Sequence, residues 1–227
     1  MGQEGEPLGM GEPSVSTPDL QPDYDAAWAF MDAMHPGRLR VITGIREVTK
    51  PDGKVVKQLP TETFSPSDKA KFLSWAEGAG RDCNLYWHPA EPLKPVTKKM
   101  ERTDVRAVWH LHVDVDPRAG ESLESEHARI LGLVRNPPGG LPKPSTIVFS
   151  GGGYQAFWAL REPIIIDGDL AKAEDAALFN LHIERAMGAD KCHSIDHLMR
   201  LPFTLNRPDA KKLKKGRVLS LATVVTP

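Results

Sequence analysis

Cysteine is scarce in this chain, which contains only Cys83 and Cys192, 109 positions apart. A disulfide framework or a cysteine-based zinc module needs repeated or closely spaced cysteines. We therefore expect neither disulfides nor structural zinc. A zinc site that joins Cys83 and His88 to Cys192 and His193 remains a formal alternative.

Long apolar runs are lacking as well. No run approaches the roughly 18 residues that a membrane-spanning helix needs. The first residues have neither the basic start nor the apolar core of a secretory signal. Hydrophobic residues nevertheless make up 40% of the 227 residues, which is enough for a substantial core. We expect a cytoplasmic protein without membrane contact.

Basic residues are absent from the first 25 positions, which contain six aspartates and glutamates. Positions 1–22 are rich in glycine and proline and poor in apolar side chains, so burial cannot offset the entropy of ordering them. We expect a disordered acidic tail there. The chain after it is predicted to form one domain over 23–220, with an N-terminal part at 23–100 and a second part at 101–220.

The net charge of −1 hides a basic segment near the C-terminal end. After position 25 the chain carries 29 lysines and arginines against 24 acidic residues, and much of this excess lies at 198–217. A local basic patch suits phosphate groups, whereas a solvated charged loop is the alternative. The candidates for nucleic-acid binding in this segment are Arg207, Lys211, Lys212, Lys214 and Lys215.

Apolar periodicity and turn-forming residues predict a mixed α/β (α+β) fold. Helices are expected from Asp23, from Ser65 as N-cap with Pro66 in the first turn, and over 121–135 and 169–187. Strands are expected at 38–48, 54–59, 84–87, 105–116, 145–149 and 154–160. The order strand, helix, strand, strand, helix across 105–187 is that of a split βαβ sheet of the ferredoxin-like or RNA-recognition-motif-like type. The N-terminal α/β part is expected to pack on this sheet.

The segment HLHVDVDP at 110–117 alternates ionisable and apolar side chains. On a strand, residues two apart share a face, so Asp114 and Asp116 lie on the same side as the two preceding histidines. Neighbouring carboxylates repel each other and lose hydration, and a divalent cation compensates for both effects. The spacing therefore predicts a metal site first and a half-exposed edge strand second.

Two further segments carry polar groups in unusual settings. In SGGGYQAFW at 150–158, three glycines between strands allow backbone amides to approach an anion, although a plain glycine-rich turn is the alternative. In DHLMRLPFTLNRP at 196–208, a proline-punctuated stretch contains Arg200, Asn206 and Arg207. Arginine gives bidentate contacts to phosphate, so this stretch suits a triphosphate or a nucleic-acid backbone.

In this order, the three segments resemble the motifs of the archaeo-eukaryotic primase superfamily. The similarity covers roughly 80–210 and is greatest to the primase-polymerases of phages, plasmids and other mobile elements. The resemblance implies a primase or DNA polymerase that extends or initiates primers from nucleoside triphosphates. It also implies a DNA template and primer, (d)NTPs and a separate replicative helicase as partners, with two Mg²⁺ or Mn²⁺ ions as cofactors.

The resemblance also assigns roles to single residues. The implied catalytic and metal-binding residues are Asp114, Asp116 and Asp196. The implied nucleotide-binding residues are Ser150, Gly151, Gly152, Gly153, Gln155, Arg200 and Asn206. Many members of the superfamily have histidine at the position of Gln155, and glutamine cannot act as an acid. This departure puts catalytic strength in question more than nucleotide binding.

Two other functions remain open at the level of sequence. The pair His110 and His112 is also typical of the metal site of rolling-circle replication nucleases and relaxases, which need a tyrosine nucleophile. Such a tyrosine usually lies on a helix with a nearby lysine, but of the three tyrosines Tyr24 lies at the boundary of the tail, and Tyr86 and Tyr154 fall in predicted strands. A non-catalytic nucleic-acid-binding accessory domain is the second alternative, which the glutamine in the second motif favours.

Overall fold

The computed structural model describes residues 20–189 and 191–226, so the predicted acidic tail lies almost wholly outside the described residues. The helices are α1 Tyr24–Met34, α2 Lys69–Ala79, α3 Leu123–Arg135, α4 Leu170–Met187 and α5 Ala210–Leu213, with a short 3₁₀ turn at Arg102–Asp104. The strands are β1 Arg40–Thr49, β2 Val55–Gln58, β3 Thr61–Phe64, β4 Asn84–Trp87, β5 Ala90–Pro92, β6 Val105–Val115, β7 Thr146–Phe149, β8 Tyr154–Ile165, β9 Met199–Arg200, β10 Leu205–Asn206, β11 Ser220–Leu221 and β12 Thr223–Val225. Within the described residues, no helix is long and apolar enough to cross a bilayer.

The strands form two main sheets. The first has the order β2-β1-β4-β9 with β3 also paired to β1, and the second has the order β12-β7-β8-β6-β5. In the second sheet β8 runs antiparallel to both β6 and β7, so these two are parallel to each other and α3 connects them. This arrangement is the predicted split βαβ unit, and the predicted α+β class is confirmed.

Two short strands tie the parts of the chain together. β9 follows α4 in sequence yet pairs with β4 of the first sheet. β5 precedes the second sheet in sequence yet pairs with β6 at its edge. The first and second parts of the chain therefore each contribute a strand to the other's sheet.

Helix ends follow local capping chemistry. Asp23 accepts a hydrogen bond from Ala26 N at the start of α1, and Asp169 does the same for the first turn of α4. The second helix begins at Lys69, later than predicted, because the Asp68 carboxylate accepts from Ser65 N at 2.7 Å and closes a turn around Pro66 first.

The longest strand pair departs from the predicted boundaries. β8 continues to Ile165, five residues beyond the expected end, and its last residues pair with Val108 and its neighbour on β6. The register shifts between Val108 and His110, so a bulge accommodates Pro163, which cannot donate to a regular ladder.

Strand alternation decides which face of the second sheet meets which layer. Val113 and Val115 of β6 pack with Ile130 of α3 and Ile183 of α4. Phe157 of β8 points the other way, into the core of the first sheet, where its ring lies 5.4 Å from that of Trp87. Helices therefore cover one face of the second sheet, and the first sheet covers the face that carries the polar residues of β6.

Candidate active site

The carboxylate pair, Asp114 and Asp116, lies at the end of β6. Asp114 Oδ2 accepts a hydrogen bond from Gln155 Nε2 at 3.2 Å, whereas Oδ1 is buried and has no hydrogen-bond partner among the described residues. Burial, followed by repulsion from Asp116, raises the pKa of Asp114 to about 7. A cation would relieve both the burial and the repulsion, so the carboxylate pair is suited to bind a metal ion.

Gln155 connects the pair to the first sheet. It lies directly opposite Asp114 in the β6–β8 ladder and is 2% exposed. Its amide group donates to the carboxylate, and its Oε1 accepts from Arg200 N at 3.0 Å. The side chain predicted to bind nucleotide therefore makes protein contacts on both ends and fixes the spacing of β6, β8 and β9.

Arg200 is a buried cation beside the carboxylate pair. Its Nη2 donates to Tyr86 Oη and to Asn206 Oδ1, each at 2.8 Å, and its guanidinium lies 4.1 Å from the centre of the Tyr86 ring. Its Nε and Nη1 have no hydrogen-bond partner in the described part of the chain. Burial lowers its pKa, although an arginine remains charged at neutral pH. Unpaired donors on a buried guanidinium favour an anionic oxygen as their ligand.

The glycine turn, residues 150–153, closes the same site. Ser150 Oγ accepts from Gly153 N at 3.1 Å, and Ser150 N donates to Gly153 O at 2.9 Å. The φ of Gly151 is +83°, which favours glycine, and a Cβ on Gly153 would overlap the carbonyl oxygen of Val115. The turn can therefore lie against the end of β6 only because these residues lack side chains.

Substitution of Gly153 by alanine is expected to push the turn away from β6 and to displace Asp116, whose Cα would lie 3.1 Å from the new methyl group. Overpacking of this kind destabilises a protein by about 1–3 kcal/mol. Urea unfolding measures the loss. The control is Gly132→Ala in α3, where a Cβ meets nothing within 4 Å and helix propensity favours alanine. Equal stability of the two variants would contradict the close approach.

Some residues of the basic segment lie at the carboxylate pair, and others lie outside the central cavity. Lys212 lines a central cavity of about 60 Å³ together with both carboxylates, and Arg217 Nη2 lies 3.7 Å from Asp116 Oδ1. Arg207 lines a separate polar cavity, where its amide donates to Asn84 Oδ1. Three predicted nucleic-acid-binding lysines are exposed: Lys211, Lys214 and Lys215.

Sequence reasoning did not single out two of the site residues. Tyr86 lines the central cavity but comes from β4 of the first sheet, and its strand pattern gave no functional signal. Arg217 belongs to the basic segment, but its proximity to Asp116 depends on how the chain folds back after α5. The predicted residues Ser150, Gly152 and Asn206 also line the central cavity.

Asp196 is not among the residues that line the central cavity. It lines a side cavity of about 360 Å³, accepts from Lys99 Nζ at 3.2 Å and is hydrogen-bonded by the Ser194 hydroxyl. Burial alone would raise the pKa of Asp196, but the Ser194 hydrogen bond and the Lys99 charge lower it below its usual value. Among the described residues, no group of three or more His, Cys, Asp or Glu is placed to hold a metal ion.

The two histidines of β6 are packed into the protein. His112 Nε2 lies 3.0 Å from Cys192 O, and burial, followed by the charge of His197, lowers the pKa of His112 to about 3. His110 is 7% exposed and stacks on His35. The hydroxyl of Tyr86 accepts from Arg200. This geometry gives no support to a histidine-metal nuclease with a tyrosine nucleophile.

Comparison with solved structures finds the same fold in the crystal structure of primase RepB′. The TM-score is 0.51 at 16% sequence identity, over 90% of this chain and 56% of that chain. No family model and no curated protein matches this chain. The predicted resemblance to the primases is thus confirmed at the level of the fold, and the chain spans just over half the length of the primase that it matches.

Proposed function

We propose that this chain is a template-directed nucleotidyltransferase of the primase type, which extends or initiates primers from nucleoside triphosphates. The observation that carries the proposal is the pairing of unsatisfied groups at one point of a primase-like fold. Among the described residues, one buried carboxylate oxygen of Asp114 and two buried nitrogen donors of Arg200 have no hydrogen-bond partner. A divalent cation bound with a phosphate-bearing substrate satisfies both.

The carboxylate pair fits one Mg²⁺ or Mn²⁺ ion. Magnesium is commonly held by one or two carboxylates, with substrate phosphates and waters in its remaining positions. Such an ion would supply charge neutralisation at the transferred phosphoryl group and activation of the attacking hydroxyl. The second ion implied by the resemblance would need Asp196 as a ligand. The Asp196 carboxylate is paired with Lys99 in the side cavity, so this ion would have to compete with the lysine.

The residues of the chain supply positioning and charge. Gln155 links the Asp114 carboxylate to the backbone amide of Arg200, and both residues line the central cavity. With Tyr86 and Asn206 fixing one edge of the guanidinium, the Nε and Nη1 donors of Arg200 remain for phosphate oxygens. Preorganised hydrogen-bond donors in a buried site contribute much of the transition-state stabilisation in phosphoryl transfer.

The exposed lysines of the basic segment suit the backbone of a DNA template and primer. Contacts of this type bind any sequence and weaken as salt is raised. Participation in the replication of a mobile element, and a separate helicase partner, derive from the sequence resemblance and remain predictions.

The test is extension of a labelled primer on a DNA template with dNTPs and Mg²⁺ or Mn²⁺. We expect extension that stops when the metal is chelated. Cleavage of single-stranded DNA with a covalent tyrosine adduct would contradict the proposal in favour of a nuclease. Retention of DNA without any reaction would contradict it in favour of a binding module.

A further inference from the structure

We propose that Glu126 of α3 is a positioning residue for the carboxylate pair, because it binds Arg118 and so keeps this cation away from Asp116. Arg118 follows Asp116 by two residues, and both line a cavity between the 116–121 loop and the basic segment. The inference rests on the proposed function, because it names a residue that leaves Asp116 free to bind the metal ion.

Glu126 is an acidic residue in a place where acidic residues are rare. It lies in the first turn of α3 and is only 1% exposed. Glutamate is almost never buried to this extent unless it is paired with a cation. The partners of this carboxylate therefore indicate its role.

Two arginines bind both oxygens of Glu126. Its Oε1 accepts from Arg118 Nε at 3.1 Å, from Arg118 Nη2 at 2.7 Å and from Arg129 Nε at 2.7 Å. Its Oε2 accepts from the Arg118 backbone amide at 2.9 Å and from Arg129 Nη2 at 2.7 Å. The side-chain hydrogen bonds, those of Arg129 first and those of Arg118 second, lower the pKa of Glu126, so it is charged at neutral pH.

Charge balance alone does not require both arginines. Arg129 lies three residues after Glu126 on the same helix, and this local ion pair already neutralises the carboxylate. The contacts of Arg118 add a connection between α3 and the loop that begins at Asp116. Glu126 thus fixes both the backbone and the guanidinium of a residue that lies close to the carboxylate pair in sequence.

Asp116 already has one cationic neighbour, since Arg217 Nη2 lies 3.7 Å from its Oδ1. A second guanidinium, released from Glu126 into the cavity that Asp116 also lines, would repel a divalent cation and occupy the oxygens that bind it. Glu126 therefore favours the arrangement in which Asp116 can accept the metal ion.

The test is Mn²⁺ binding measured by electron paramagnetic resonance, which needs neither primer nor nucleotide. Glu126→Gln preserves the size of the side chain but replaces one acceptor oxygen by a donor, so Arg118 loses its ionic partner. We expect Mn²⁺ binding to weaken by about tenfold or more, because the released charge opposes the cation. Addition of Arg118→Ala to Glu126→Gln removes that charge and should restore binding close to that of the wild type.

Two further variants serve as controls. Asp116→Asn identifies the Mn²⁺ signal of the carboxylate pair, because that signal should be lost. Asp169→Ala controls for a general loss of stability, since it removes the cap that accepts from Ala171 N at 2.9 Å at the start of α4. Asp169 is not among the residues that line the two cavities beside Asp116, so this variant should bind Mn²⁺ as the wild type does.

The outcomes separate this inference from the proposed function. Weaker Mn²⁺ binding by Glu126→Gln, with recovery in the double variant, supports the inference even if the wild type extends no primer. Wild-type Mn²⁺ binding by Glu126→Gln would overturn it, even if the wild type extends primers normally. Weaker binding that Arg118→Ala does not restore would overturn it in favour of a purely structural role for Glu126.

Discussion

Replacement of Asp114 by asparagine is expected to lower kcat for primer extension by about 10³-fold or more. Asparagine preserves the size of the side chain but removes the negative charge, and a catalytic cation contributes several kcal/mol to the transition state. The same loss is expected for Asp116→Asn, since both carboxylates serve one ion. Extension with saturating dNTP and Mn²⁺ measures the effect.

The free energy of unfolding of Asp114→Asn distinguishes a functional role of this carboxylate from a structural one. A buried carboxylate with one unpartnered oxygen is costly, so a neutral side chain of the same shape should leave the free energy of unfolding unchanged or raise it. Lost activity together with retained stability identifies a functional residue. Asp175→Asn, an exposed change on α4, is the matched control. Undiminished extension by Asp114→Asn would contradict the assignment of the carboxylate pair.

The second large effect is a loss of stability in mild acid. Burial is the first cause that lowers the pKa of His35, His88 and His112 to about 3. In the unfolded chain a histidine titrates near 6.5, so below that pH the unfolded state binds more protons than the folded state. The stability that these residues provide is complete above pH 6.5 and is lost as the pH falls towards 3. Each such group contributes about 1.4 kcal/mol per pH unit to the slope well below pH 6.5.

Urea unfolding between pH 5 and pH 8 measures this slope, and His88 provides the variant. Both ring nitrogens of His88 are without hydrogen-bond partners in the described part of the chain, so His88→Leu leaves no described group unpaired. We expect the slope of His88→Leu to be smaller than that of the wild type by the contribution of one group, about 1.4 kcal/mol per pH unit. His182→Gln, at an exposed position, should have the wild-type slope. Equal slopes for all three proteins would show that His88 is not held neutral by the fold.

The long elements of the fold could be predicted because their patterns are local. The alternation in β6, the capped amphipathic pattern of α3 and the long helix α4 gave the split βαβ unit from sequence. The short strands β5 and β9 to β12 have two or three residues each, too few for any periodicity. They exist because tertiary packing brings their backbones beside longer strands, and sequence spacing does not encode that.

The site residues likewise include some that the sequence pattern predicts and some that depend on tertiary packing. Asp114 and Asp116 could be placed together from strand periodicity alone. Tyr86 and Arg217 could not, since they come from the first sheet and from the end of the basic segment. Motif order groups Asp196 with the carboxylate pair, and this grouping stays a prediction. In the fold Asp196 lines the side cavity, where Lys99 is its partner.

The most direct test of the account is single-nucleotide incorporation on four templates that differ only in the templating base. For a template-directed nucleotidyltransferase, the nucleotide added to the primer should change with the templating base, and addition should stop when the metal is chelated. Addition of the same nucleotide on all four templates, or no addition with either Mg²⁺ or Mn²⁺, would contradict the account.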